Sequence, residues 1–245
     1  MDFAVKPVLL QTATPSWRTL LILGRVSNLP SVWTNATLGY ALGHLAANDS
    51  LPGWGAALTL IPFLLGCSLL YVFGMFANDW MDAEWDQKND KPRPIPQGMI
   101  SRPNVGFFAL FLLFLGLSTT WQAGIWTVGL VSAIVVYTLI HKKTALGIIP
   151  MAACRFFLVL MGAAIAGPEL PWLTATSLAL YLLALTWIAR NEHRFGKMKL
   201  VGWLLAGICL HDAVWAAVLL NLNWVFAFVA AFALSRVLQK TIPAT

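Results

Sequence analysis

The chain has 245 residues, 59% of them apolar and only 11% charged, with a net charge of +6. Soluble domains run at roughly 45–50% apolar and roughly 25% charged, and a water-facing globule cannot hide this much apolar surface behind so few charges. The composition therefore excludes a cytosolic enzyme, a disulfide scaffold and a disordered tail. Its apolar complement of about 145 residues approaches the roughly 160 that eight membrane spans of ~20 residues require.

In chain order, residues 1–15 lack the compact apolar core and small-residue cleavage site of a signal peptide. The stretch from Trp17 to Leu23, between Arg18 and Arg25, is too short to span and reads as an interfacial lead-in helix. Eight apolar stretches follow, at about 28–47, 55–77, 105–121, 124–140, 146–167, 171–189, 200–220 and 224–238. They predict one all-α membrane bundle over residues 1–245. Every Lys and Arg except Arg155 falls on one set of connections: the N-terminal segment, 78–104, 141–143, 190–199 and the C-terminal segment. The positive-inside rule then puts both termini in the cytoplasm, as for a bacterial-type inner membrane. The charge reports topology, and with no aromatic-basic module beside it no nucleic-acid partner is expected. Cys67, Cys154 and Cys209 stand alone in apolar runs, so neither a disulfide nor a zinc site is expected.

The most informative segment is 78–101, NDWMDAEWDQKNDKPRPIPQGMIS. Asn78, Asp82 and Asp86 are four residues apart at the end of the second span. Each step turns a helix by ~400° and rises ~6 Å, so the three share one face. Carboxylates stacked in this way repel one another unless a cation sits between them. Hard oxygen ligands suit Mg²⁺, which keeps several waters and bridges to substrate phosphates. Lys88, Lys91 and Arg93 follow closely enough to fold back over phosphate oxygens, and Pro92, Pro94 and Pro96 end the helix. The plain alternative is a set of solvated charges capping a membrane helix. A ladder locked to its own neighbouring lysines, with no room for a ligand, would favour that alternative.

The segment NDWMDAEWD with the following KPRPIPQGMIS resembles the first aspartate-rich motif of the UbiA-type intramembrane prenyltransferases. Looser likeness extends through Arg25–Pro30 and Gly39, Tyr137 through Gly147, and Cys154, Arg155 and Gly162. The resemblance implies that Asn78, Asp79, Asp82 and Asp86 hold Mg²⁺ and the diphosphate of a polyisoprenyl donor. It makes Arg93 and Lys91 candidates for stabilising the departing diphosphate, with Asp82, Asp86 and Arg93 at the catalytic centre. The family's second acidic motif is degenerate here. The chain reads WIARNEHRFG over 187–196, with Ala189 and His193 where aspartates are expected and Glu192 as the one acid. Arg190, Asn191 and Lys197 would then face the diphosphate from a basic wall, with Glu192 as the catalytic acid residue of that side. With eight helices rather than the family's usual nine, the chain resembles a divergent, EboC-like branch.

Within the spans, Arg155 is expected to pair with Asp212, because unpaired charges are costly in a bilayer. The sharper alternative makes Asp212 or His211 a base acting on the acceptor. Asn35 is expected to hydrogen-bond between helices, and His44 and His141 receive no role. Trp54, Trp121, Trp172 and Trp224 suit an aromatic belt, while Trp33 and Trp215 could line an isoprenoid channel. The resulting expectation is a Mg²⁺-dependent transferase moving a polyisoprenyl group from an isoprenyl diphosphate donor to an aromatic or lipid-like hydrophobic acceptor. The competing expectation is a non-catalytic UbiA-like protein that binds, or helps export, an isoprenoid-linked metabolite. An ion-coupled transporter fits less well, because the halves show no repeat and the polar residues gather at one membrane face.

Overall fold

The computed structural model describes residues 15–191 and 198–244, and within them the ordered elements are all helical. A short helix α1 (Trp17–Leu23), capped by the Ser16 side chain, leads through a 3₁₀ turn (Val26–Asn28) into α2 (Leu29–Asn48). Then come α3 (Ala57–Lys88), α4 (Arg102–Thr120), α5 (Ile125–Ile140) and α6 (Ile148–Ala164). The last three are α7 (Trp172–Arg190), α8 (Met198–Leu219) and α9 (Leu222–Leu238). Helices α2 to α9 correspond one to one with the eight apolar stretches, and α1 with the lead-in segment.

Five helical segments are long and apolar enough to cross a membrane: Ala57–Lys88, Arg102–Ala123, Ala145–Ala164, Trp172–Arg190 and Leu200–Leu219. Ile125–Ile140 and Leu222–Leu238 are apolar but shorter. The large apolar side chains of α4, such as Phe107, Leu110 and Phe114, point outward, as expected of an integral multi-pass membrane protein whose solvent is lipid. Helix α2 is the opposite case. It carries Ser31, Thr34 and Asn35, and 12 of its 20 residues are buried. Polar side chains inside a membrane bundle are placed at its centre.

Helix α2 packs most closely on α6, and small residues make this possible. A Cβ on Gly39 would meet the Val159 carbonyl oxygen at 2.0 Å, and one on Gly162 would meet the Ala36 carbonyl oxygen at 2.0 Å. Gly39 and Gly43 are one helical turn apart on the face that meets α6, a small-xxx-small contact that brings two backbones together.

Helix α3 has 32 residues, about 48 Å at 1.5 Å per residue. That exceeds the ~30 Å of bilayer hydrocarbon, so its last turns extend past the apolar layer. They carry the acidic ladder, and the helix runs eleven residues beyond the expected end of the span at 77. The chain then turns through residues 89–101, pinned by the fully buried Ile95 and Ile100, and Ser101 caps the start of α4.

Candidate functional site

Asn78, Asp79, Asp82 and Asp86 are all buried, at 7%, 2%, 7% and 4% exposure. This excludes the reading of solvated helix-end charges, since carboxylates removed from water need partners. Those partners come from elsewhere in the chain. His141 Nε2 lies 3.0 Å from Asp82 Oδ2. Lys142 Nζ lies 3.1 Å from the same oxygen and 2.7 Å from Asp86 Oδ1, so one ammonium bridges two rungs of the ladder. Asn78 Nδ2 donates to Asp82 Oδ2 at 3.2 Å. Arg25, held at a positive φ of 45° in the bend before α2, donates to Asp79 Oδ1 at 3.4 Å. The ladder thus meets a lysine, but one from the α5–α6 connection and not the adjacent Lys88 or Lys91. The Lys142 ammonium also sits 3.9 Å from the centre of the Trp85 ring, a cation–π contact.

Beside this cluster lies a cavity of about 380 Å³. Its mouth is lined by Arg25, Arg93, His141 and Arg190, and its walls by apolar side chains such as Leu130, Ile134, Leu158 and Leu182. The carboxylates do not line it; they stand behind Arg25 and His141, which touch both the acids and the cavity. The polar face offered to a ligand is therefore basic. Burial pulls the Arg93 guanidinium below its ordinary value, as does neighbouring Arg25, while Asp79, Asp86 and Asp82 pull it back.

Arg190 has two roles. It lines the mouth, and it donates to the carbonyls of Ala145 at 2.7 Å, Thr144 at 2.9 Å and also His141. It clamps the connection that carries His141 and Lys142, satisfying carbonyls of the turn that follows α5.

Of the residues singled out from sequence, Asn78, Asp79, Asp82, Asp86, Arg93 and Arg190 converge. Lys91 does not: it is exposed and lies 5.9 Å from the outer Trp85 ring. Asn191 donates to the Trp187 carbonyl and borders only a shallow depression outside the mouth. Glu192 and Lys197 lie outside the described residues. Arg25, His141 and Lys142, to which the sequence alone assigns no role at the site, join the converging residues. The basic triplet 141–143 was legible only as a topology signal, since nothing local shows which helix end it will reach.

Deeper in the bundle, the expected direct Arg155–Asp212 pair is replaced by a relay. Arg155 NH1 donates to Asn35 Oδ1 at 2.9 Å, and Asn35 Nδ2 donates to Asp212 Oδ2 at 2.6 Å. Asn35 thus makes the interhelical bond expected of it and separates the two charges. His211 Nδ1 lies 3.2 Å from Asp212 Oδ1, and Ser177 Oγ lies 3.0 Å from His211 Nε2. Trp215 donates to Ser177 Oγ and Trp33 to Ser68 Oγ, and neither lines the cavity. The aromatic side chains that do are Tyr71 and Tyr137.

Among the described residues no three His, Cys, Asp or Glu side chains form a closed metal cage. Mg²⁺ does not require one, because it is bound by one or two carboxylates with waters and substrate phosphates. Asn78 Oδ1 is buried with no partner among the described residues. The Asp82 and Asp86 oxygens that do not face Lys142 add two more hard donors. These hard oxygens suit a hydrated Mg²⁺ that completes its shell with waters and substrate phosphates, with Lys142 already neutralising part of the ladder's charge.

An all-helical membrane bundle with an apolar cavity, a basic mouth and an acidic ladder behind it defines the class: an intramembrane protein with a chamber that is basic at one end and apolar along its walls. Residues 36–194 match the UbiA prenyltransferase family, and the chain belongs to it. Among curated relatives, the bacteriochlorophyll synthase 33 kDa chain of Cereibacter sphaeroides is 29% identical over 118 residues, covering 48% of this chain and 37% of that one. The digeranylgeranylglyceryl phosphate synthase of Thermococcus kodakarensis is 34% identical over 86 residues, covering 35% and 30%. The matched stretch thus spans about a third of each relative's length. Among solved structures, one reported for digeranylgeranylglyceryl phosphate synthase in membranes superposes with a TM-score of 0.57 at 20% identity, covering 91% of this chain and 93% of that one. A UbiA homologue from Archaeoglobus fulgidus bound to DMAPP and Mg²⁺ gives a TM-score of 0.52 at 16% identity, covering 88% and 85%. Those two likenesses establish the fold.

Proposed function

We propose that this chain transfers a polyisoprenyl group from its diphosphate to a hydrophobic acceptor inside the cavity, with the mouth on the cytoplasmic side of the membrane. The observation that carries the reading is the convergence of Arg25, Arg93, His141 and Arg190 at the opening of an otherwise apolar chamber. Guanidinium groups bind phosphate oxygens in pairs through their planar fork. Arg93 and Arg25 hold the diphosphate and take up charge as the carbon–oxygen bond to the prenyl group breaks. The walls exclude water from the carbocation-like fragment, and the acceptor attacks it. Mg²⁺ held by Asn78, Asp82 and Asp86 would supply further neutralisation of the departing diphosphate. Support for the metal also comes from the neighbour described with DMAPP and Mg²⁺ bound. Arg190 adds its guanidinium to the same phosphate oxygens in this reading.

The test is incubation of the purified protein with labelled isoprenyl diphosphates, Mg²⁺ and a panel of acceptors. Labelled prenyl product is the expected result; no turnover together with no Mg²⁺-dependent diphosphate binding rejects the proposal. A second reading is favoured by the Lys142 bridge, which places a resident cation on the ladder. It is a carrier that binds an isoprenoid-linked metabolite without changing it. That reading requires ligand binding to survive Asp82→Asn and Asp86→Asn with the ligand chemically intact.

A further inference from the structure

The deep end of the cavity holds a cation that the diphosphate site does not use. Arg155 lines the cavity and is only 8% exposed. Among the described residues its guanidinium makes one side-chain hydrogen bond, from NH1 to Asn35, and its other N–H groups have no protein acceptor. Tyr71 lines the same region, with its ring centre 5.8 Å from the Arg155 guanidinium carbon. The Tyr71 oxygen accepts from Asn28 Nδ2 at 3.2 Å, and no described residue takes its hydroxyl proton. Tyr71 precedes Asn78 by seven residues on α3, and Arg155 follows the start of α6 by seven, so both lie about 10 Å below the mouth.

The charge of Arg155 is already balanced. Asn35 links it to Asp212, so Arg155, Asn35 and Asp212 together are neutral. A carboxylate or phosphate brought here would leave an uncompensated negative charge in the hydrocarbon layer, at high cost. A neutral oxygen that accepts hydrogen bonds satisfies the open donors and adds no charge. Leaving such donors unmatched is also how a site rejects a ligand that lacks the oxygen.

We infer that Arg155 and Tyr71 form an acceptor-recognition subsite that takes a neutral carbonyl or phenolic oxygen on an apolar ring. The inference rests on the prenyl-transfer reading and specifies its acceptor class. Asn35 and Asp212 are positioning residues that set the direction and charge balance of Arg155. An oxygen anchored at this depth turns the far edge of its ring toward the mouth, where the donor carbon arrives.

The experiment measures binding to the full chain in lipid nanodiscs, using 1,4-naphthoquinone, 1-naphthoate and, for the mouth, Mg²⁺ with inorganic pyrophosphate. The expected result is saturable naphthoquinone binding at least tenfold tighter than naphthoate. Tyr71→Phe should weaken it about threefold and Arg155→Gln tenfold or more, with pyrophosphate affinity held within twofold. Tyr71→Phe keeps the ring and serves if Arg155→Gln fails to fold. Wild-type naphthoquinone affinity in a folded variant overturns the inference. So does naphthoate binding as tight as the quinone, or pyrophosphate binding without any saturable quinone binding. Failure of both pyrophosphate and quinone to bind instead overturns the prenyl-transfer reading beneath it.

Discussion

Lys142 Nζ lies 2.7 Å from Asp86 Oδ1 and 3.1 Å from Asp82 Oδ2, closing the acidic ladder of α3 with a cation from the α5–α6 connection. A single ammonium thus occupies the position between two carboxylates at which the proposed Mg²⁺ would sit. Its partners are buried, while Lys142 is partly exposed, so under the proposed function the bridge opens when Mg²⁺ and a diphosphate arrive.

Lys142→Met should therefore destabilise the metal-free protein by about 1–3 kcal/mol, below the full cost of breaking a buried pair because Lys142 is partly exposed. Mg²⁺ should recover more thermal stability in this variant than in the wild type. Melting in detergent with and without Mg²⁺ reads both effects; equal Mg²⁺ shifts in the two proteins would argue against a shared cation position.

Asp86→Asn keeps the size of the side chain and removes its charge. Loss of prenyl transfer by roughly 10²-fold or more is expected, on the scale of removing one charge-stabilising group. EDTA treatment of the wild type should reproduce the loss, and excess Mg²⁺ should reverse it. Steady-state kinetics with a labelled donor provides the measurement, and full activity in the variant would remove Asp86 from the site.

Arg190→Ala should raise the donor KM and loosen the 141–145 turn, because three carbonyls lose their shared donor. Arg190→Lys should rescue poorly, since one ammonium does not reproduce a planar fork. Hydrogen exchange over residues 141–147 distinguishes this from a purely local charge effect. Unchanged protection there in Arg190→Ala would contradict the clamp.

Gly162→Ala should destabilise the bundle by about 1–3 kcal/mol or more, as overpacking does in a closed interface. Its Cβ would meet the Ala36 carbonyl oxygen at 2.0 Å, so α2 and α6 must part. Gly53→Ala, where nothing lies within 4 Å of the added carbon, should leave the melting temperature unchanged. Matching melts for both variants would show that the close approach is not required.

The sequence alone determined the all-helical membrane bundle, the shared face of Asn78, Asp82 and Asp86, and the family resemblance of 78–101. Each depends on local spacing or local composition: hydropathy over about twenty residues, or a four-residue step along one helix. Tertiary structure decided what those acids touch. Arg25 reaches Asp79 across 54 residues, His141 reaches Asp82 across 59, and Asn35 reaches Asp212 across 177. No local pattern specifies such pairings, which arise when packed helices bring buried charges within reach and the cost of leaving them unpaired selects their partners. For the same reason His141 carries no signal of a role in the sequence, and Asn35 reads there as a helix contact with no sign that it stands between Arg155 and Asp212.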